Sequence, residues 1–183
     1  YLIQEVCQNH PKIKELAPNN AFNTIRIHTY FSVNNSNATI LGAHIKLAAM
    51  GDITDNISTG GIGVEIDIET GRLAEFGFSE YNMGQIVNYP GSQIKFKDFE
   101  IPYWNDLIVQ VTNASKLMKT NLIGWDIGIT EKGVVFIEGN SGSDIFIPQA
   151  FYKPFFDSSL IQDFIVDPNY HQWVKNFHEK LTK

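Results

Sequence analysis

Residues 124–144, GWDIGITEKGVVFIEGNSGSD, decide the fold. Read at a period of two, Leu122–Thr130 and Gly133–Asn140 are strands, and Thr130-Glu131-Lys132-Gly133 between them carries turn chemistry. Trp125, Ile127 and Ile129, then Val135 and Ile137, are apolar, and that face is placed on a core. Asp126, Gly128 and Thr130, then Val134, Phe136, Glu138 and Asn140, take the other face. Holding the apolar positions together fixes the register, because a slip of one residue turns every side chain over. Asp126 then lies directly across from Glu138, with Cβ atoms roughly 4.5–5.5 Å apart. Asn140 follows on the same face.

Two carboxylates opposed on a sheet repel each other unless something positive sits between them. A hard cation is the simplest candidate, since Mg²⁺ is typically held by one or two carboxylates, with phosphates and water completing its shell. Asn140 adds a neutral oxygen ligand or an amide donor. The bland alternative is a solvated hairpin with its charges in water.

A second hairpin covers residues 23–33 and 39–48. Ile25, Ile27, Phe31 and Val33 alternate on one strand; Leu41, Ala43, Ile45 and Leu47 alternate on the other. The simplest register sets Arg26 opposite Lys46 and His28 opposite His44. An opposed cation pair is relieved by an anion, and phosphate suits the planar fork of Arg beside the point charge of Lys. Alternatively both long side chains snorkel into water. The histidines read as structural, with no metal-ligand spacing.

Elsewhere, Asn9 is expected to cap a short helix through Leu16. Residues 51–61, GDITDNISTGG, are dense in turn chemistry but lack the Lys-Ser/Thr ending of a P-loop. Residues 62–68 and 72–78 form another hairpin, and residues 81–97 read as a loop covering the site. From Pro102, the positions Trp104, Leu107, Ile108, Val111, Ser115 and Met118 form one helical face. Residues 141–144 are small and polar, suited to close approach by a ligand. Asp167-Pro168 starts a closing helix with Tyr170, Trp173, Val174, Phe177 and Leu181 as its apolar stripe. The predicted class is α+β: a mainly antiparallel sheet with helices packed on one face.

Composition sets the bounds. A chain of 183 residues, 43% apolar with 13 Phe, 7 Tyr and 3 Trp, can bury one sizeable core. A net charge of −6 and no basic stripe argue against nucleic-acid binding. The single cysteine, Cys7, excludes an internal disulfide and suits a reducing, cytoplasmic setting. No apolar run is long enough for a membrane span. The sequence opens on Tyr1 within an apolar strand-like segment, as a piece of a longer chain does.

An Asp on one strand and Glu-x-Asn at the end of the next resemble the metal-binding signature of ATP-grasp enzymes. The wording GWDIGITEKGVVFIEGNSG is similar to the sugar-transfer-associated ATP-grasp group. QEVCQNHPKIKEL, FNTIRIHTY, ITDNISTGGIGVEIDIETGRL, and YPGS with FEIPYW agree and come in the expected order. The resemblance covers most of residues 1–145. It implies the C-terminal, metal-carrying lobe of an ATP-grasp fold, as a single domain over 1–183 without the lobe that precedes it. That missing lobe generally contributes phosphate-contacting lysines and a glycine-rich flap, so the piece alone is expected to hold half a site.

The implied activity is ATP- and Mg²⁺-dependent ligation of a small-molecule carboxylate to an amine or thiol through an acyl-phosphate, linked to cell-surface polysaccharide or sugar transfer. The implied roles put Asp126, Glu138 and Asn140 on Mg²⁺ and Arg26 and Lys46 on the phosphoryl group. Gln4, Glu5 and the backbone at Val6 and Cys7 meet the nucleotide at a hinge, and Asn56, Gly60 and Gly61 join the site. Two rivals stand beside this: a retaining glycosidase built on Asp126 and Glu138, and a non-catalytic lobe that binds a sugar or partner.

Overall fold

Alternating apolar residues build a seven-stranded antiparallel sheet: β1 (Thr24–Ser32), β2 (Asn37–Leu47), β3 (Ile62–Ile66), β4 (Leu73–Ser79), β5 (Asn82–Ile86), β6 (Leu122–Thr130) and β7 (Gly133–Asn140). The computed structural model describes residues 6–32, 36–80 and 82–143, with the backbone alone at 82–84. The strand order is β5-β4-β3-β2-β1-β6-β7. Thus β1 lies between the two strands that carry its charged partners, β2 and β6.

Ile25, Ile27, Ala43, Ile45, Val64, Ile66, Trp125, Ile127 and Ile129 point to one face and share one buried cluster. The helices α1 (Pro11–Leu16) and α2 (Trp104–Met118) bury Ile13 and Leu16, and Trp104, Leu107 and Val111, in that same cluster. Each fully buried side chain of this kind contributes about 1.5–3 kcal/mol relative to exposure. Both helices therefore cover one face, as the α+β expectation had it. Trp104 is fixed by its Nε1–H, which donates to Ile68 O at 2.9 Å. Its ring lies against Gly71, where an added Cβ would come within 2.5 Å of the indole and φ is +73°. Only glycine meets both demands there.

Several details differ from the sequence reading. His10 caps α1, with Nδ1 accepting from Lys12 N, while the buried Asn9 side chain bonds Ala21 O and Asn23 N. Met118, at the end of α2, is 61% exposed. Among the described residues of 81–97, none is placed beside the central hairpin, whose carboxylates lie at the far edge of the sheet. This stretch supplies edge strand β5, at the opposite edge from β7, and then buries Tyr89 and Phe96.

The β1–β2 register is displaced by two residues from the simplest pairing: Arg26 faces His44, and Lys46 faces Thr24. The parity survives, so Arg26 and Lys46 are still on one face as diagonal neighbours. Leu41 is an extra residue in β2, because His28 pairs with Gly42 and Thr29 with Ile40.

The central hairpin holds its predicted bounds, and Asp126 faces Glu138. Its turn end is inverted, however. Ile127 pairs with Phe136, leaving Ile137 as a bulged residue. Val134 and Phe136, not Val135 and Ile137, pack on the core, and Ile137 is 48% exposed. The Phe136 ring meets Trp125 edge-on at 5.6 Å, a favoured aromatic geometry that a regular register would forgo. A bulge is the device that reconciles this packing with the facing carboxylates.

Candidate functional site

The face opposite the helices carries a row of ionisable side chains at paired positions on five strands. The row runs Glu65, His44, Arg26, Asp126, Glu138. Among the described residues no α-helix packs over it. Asp126 is buried yet ionised. Arg26 Nε donates to its Oδ1 at 2.6 Å and Nη2 to Oδ2 at 2.8 Å, a bidentate fork. Lys46 Nζ lies 3.1 Å from Oδ1. Burial alone would raise the Asp126 pKa, but the hydrogen bond and charge of Arg26 and the charge of Lys46 outweigh it and hold it below the ordinary value. Burial likewise works to deprotonate Arg26, and its hydrogen bond with Asp126 together with the charges of Asp126, Glu138 and Asp55 outweighs that and raises its pKa.

Lys46 is shared with a second carboxylate, Asp55, at 3.5 Å. Asp55 is buried, and its Oδ2 also accepts from Thr24 N at 2.7 Å and Thr24 Oγ1 at 2.6 Å. The cation pair expected to await phosphate thus has counter-charges within the protein, with Asp126 touching both cations. His44 is almost wholly buried. Burial first, then the neighbouring His28, Arg26 and Lys46, drive its pKa well below 6.5, so the imidazole is neutral. It stacks on His28 at 6.4 Å between ring centroids. Glu65 has its pKa raised, by burial and then by Asp67.

Beyond the end of β7, Ser143 folds back onto the sheet. Its Oγ lies 3.1 Å from Arg26 Nη1 and 3.1 Å from His28 Nε2. A cleft of about 380 Å³ opens there, lined by Arg26, Gly139, Asn140, Ser141, Gly142 and Ser143. A larger hollow of about 540 Å³, with Lys12, Glu69 and Asp106 in its wall, lies at the start of α2, away from these groups.

Glu138 is exposed and Asn140 half-buried, with Asn140 Nδ2 donating to Glu138 Oε1 at 2.8 Å. Among the described residues no three His, Cys, Asp or Glu side chains converge as a metal-ligand group. The set here is two carboxylates and an amide, and its donors are hard oxygens of the kind Mg²⁺ takes. A carboxylate offers about four lone-pair sites, and Arg26 and Lys46 occupy three on Asp126. One site on Oδ2, the second Glu138 oxygen and the Asn140 carbonyl oxygen are left for a cation, so the residues fit. A retaining glycosidase needs an acid whose pKa is raised in apolar surroundings. Asp126 is held ionised by two cations and Glu138 is exposed, so neither matches that part.

Of the other expected site residues, Gln4 and Glu5 lie outside the described residues; Asp144, which ends the small polar stretch 141–144, and the expected closing helix lie outside them as well. Cys7 is a free, half-buried thiol that takes no part in the hydrogen bonds around Asp126. Asn56 is exposed. Its backbone carbonyl closes the short 3₁₀ turn Ile57–Thr59 by accepting from Thr59 N and Gly61 N, each at 3.2 Å. The residue of that loop that reaches the charged cluster is its neighbour, Asp55. Asp55 and Ser143 stand outside the expected site set, although the small polar stretch 141–144 holds Ser143 and the resemblance touches the Asp55-Asn56 pair while pointing to Asn56.

In the described residues no helix is long and apolar enough to cross a membrane. Neither the curated proteins nor the solved structures give a match to this chain. The family model described as sugar-transfer associated ATP-grasp matches residues 1–160, which includes the whole seven-stranded sheet and both carboxylates of the central hairpin. The chain belongs to the sugar-transfer associated ATP-grasp family.

Proposed function

We propose that this sheet face is the metal and phosphate side of an ATP-dependent ligase that joins a small-molecule carboxylate to an amine or thiol. Membership of an ATP-grasp family supports the ligase-like class. The observation that carries the finer reading is the Arg26–Asp126–Lys46 cluster set beside Glu138 and Asn140 at one end of the sheet. In this reading a carboxylate oxygen of the donor attacks the γ-phosphorus, ADP leaves, and the amine or thiol then displaces phosphate from the acyl carbon. Such chemistry needs positioning and charge stabilisation rather than a protein nucleophile.

Arg26 keeps Nη1 off Asp126 and on Ser143 at the cleft, so one edge of the guanidinium can meet phosphoryl oxygens. Lys46 contributes a second positive charge, held in place by two carboxylates. Asp126 keeps both cations oriented. Glu138, Asp126 Oδ2 and the Asn140 amide oxygen would hold Mg²⁺, which would neutralise part of the phosphate charge when bound. We assign Gln4, Glu5, the Cys7 backbone and Asn56 to the nucleotide side, and the pathway to cytoplasmic assembly of cell-surface polysaccharide. Nucleic acid is not a partner in this reading.

The test is titration of the full-length protein with ATP, with and without Mg²⁺. Each should tighten the other, because linkage is reciprocal, and Glu138→Gln should abolish the coupling. ATP affinity that ignores both Mg²⁺ and Glu138→Gln would refute the metal assignment. Nucleotide binding without turnover on any carboxylate would leave a non-catalytic binding lobe.

A further inference from the structure

We propose that Ser143 is a phosphoryl acceptor, a site at which the protein phosphorylates itself from ATP. This rests on the ATP reading of the preceding section but concerns a hydroxyl of the chain instead of a small-molecule carboxylate. Arg26 Nη1 can only donate, so Ser143 Oγ accepts from it at 3.1 Å. The Ser143 hydrogen is thereby directed to His28 Nε2, also 3.1 Å away, in the tautomer that carries its proton on Nδ1. A nucleophile and a base at that separation, beside a cation, is the arrangement that activates a serine.

Three features support a built site. His28 is 0% exposed and its ring is stacked on His44, so the base is aimed by packing. Gly124 makes room: a Cβ there would come within 2.1 Å of Ser143 Oγ and 3.3 Å of His28 Nε2. The hydroxyl borders the same cleft as Asn140, and it shares Arg26 with Asp126, so a γ-phosphoryl group met by Arg26 lies within its reach.

In the step, Oγ attacks the γ-phosphorus while its proton passes to His28 Nε2. The bond from the γ-phosphorus to the β–γ bridging oxygen breaks, and that electron pair leaves with ADP. The product is a phosphoserine beside Arg26, adding about −1.5 to −2 charge where the donor acid would otherwise be activated. Self-phosphorylation would thus hold the enzyme off while no donor is bound.

The experiment incubates the full-length protein with Mg²⁺-ATP and no donor, followed by intact mass measurement and peptide mapping. One phosphate on Ser143 is expected, absent from Ser143→Ala and formed about 10²-fold or more slowly in His28→Gln. Gly124→Ala is the second variant: it displaces the hydroxyl while leaving serine and histidine in place, and it should also lose the phosphate. An unmodified Ser143 in protein whose melting temperature rises with Mg²⁺-ATP overturns this inference and leaves the ligase reading standing. No rise with Mg²⁺-ATP overturns both. Phosphoserine formed at the wild-type rate in His28→Gln or Gly124→Ala overturns the assignment of His28 as base.

Discussion

Replacing Asp126 with asparagine keeps the volume and removes the charge that satisfies Arg26 and Lys46. Lys46 is 7% exposed and the Arg26 side chain 18%, so neither cation can turn fully to water. Removing one partner of a buried ion pair costs about 3–5 kcal/mol, because it strands a desolvated charge. Asp55 still neutralises part of Lys46, which puts the expectation near the lower end, about 3 kcal/mol. For a chain of this size each kcal/mol moves the melting temperature by about 2–4 °C, so the drop should be roughly 6–12 °C. Urea unfolding at neutral pH, with an unchanged m-value, measures the same loss. The folded pKa of Asp126 lies below 3.8, so its contribution is fully present above that value and fades as pH falls through and below it. The gap between wild type and Asp126→Asn should therefore narrow in acid. A loss under about 1 kcal/mol at neutral pH, or a gap independent of pH, would refute Asp126 as the counter-charge of this cluster.

Glu138→Gln, on an exposed side chain, should change stability by no more than about 0.5 kcal/mol while abolishing the thermal shift that Mg²⁺-ATP gives the full-length protein. His44 is buried and neutral, with its folded pKa well below 6.5. The unfolded chain therefore binds more protons between those two values, and stability should fall as pH drops below 6.5. The slope from this group is at most about 1.4 kcal/mol per pH unit, and His44→Gln should flatten that part of the curve. Gly128→Ala would set a Cβ within 2.2 Å of the Phe22 ring; it should cost about 1–3 kcal/mol by overpacking, measured by chemical unfolding. A neutral result there would mean that Phe22 swings away without loss.

Periodicity carried the elements well. The central hairpin appears at its expected bounds, the α2 face is buried at Trp104, Leu107 and Val111, and one sheet face takes both helices. Register was harder to read, because hydrophobic alternation fixes parity and leaves offsets of two residues degenerate. That is why Arg26 was set opposite Lys46 and is in fact opposite His44. Bulges at Leu41 and Ile137 defeat strict alternation altogether. Asp55 was illegible for another reason. Its contacts with Thr24 and Lys46 span sequence separations that local composition does not encode, so it looked like one more turn residue. Ser143 lay in a stretch flagged as suited to close approach, but its partners His28 and Arg26 come from a strand more than a hundred residues earlier.

The single residue inserted at Ile137 has a consequence for how this hairpin is recognised and how it can change. The strand keeps two separate phases: Val134 and Phe136 obey the packing of the turn end, and Glu138 and Asn140 obey the other face. Strict alternation from Val134 and Phe136 would turn Glu138 inwards, so the bulge decides on which side the acid emerges. Deleting Ile137 would remove the bulge and let Glu138 follow Phe136 in strict alternation, still across from Asp126 and on the same face as it. Substituting it would leave them where they are. A chain one residue shorter at this point can therefore present the same facing carboxylates on an unbulged strand, whereas this chain, at its full length, needs the bulge to keep Glu138 out of the hydrophobic layer.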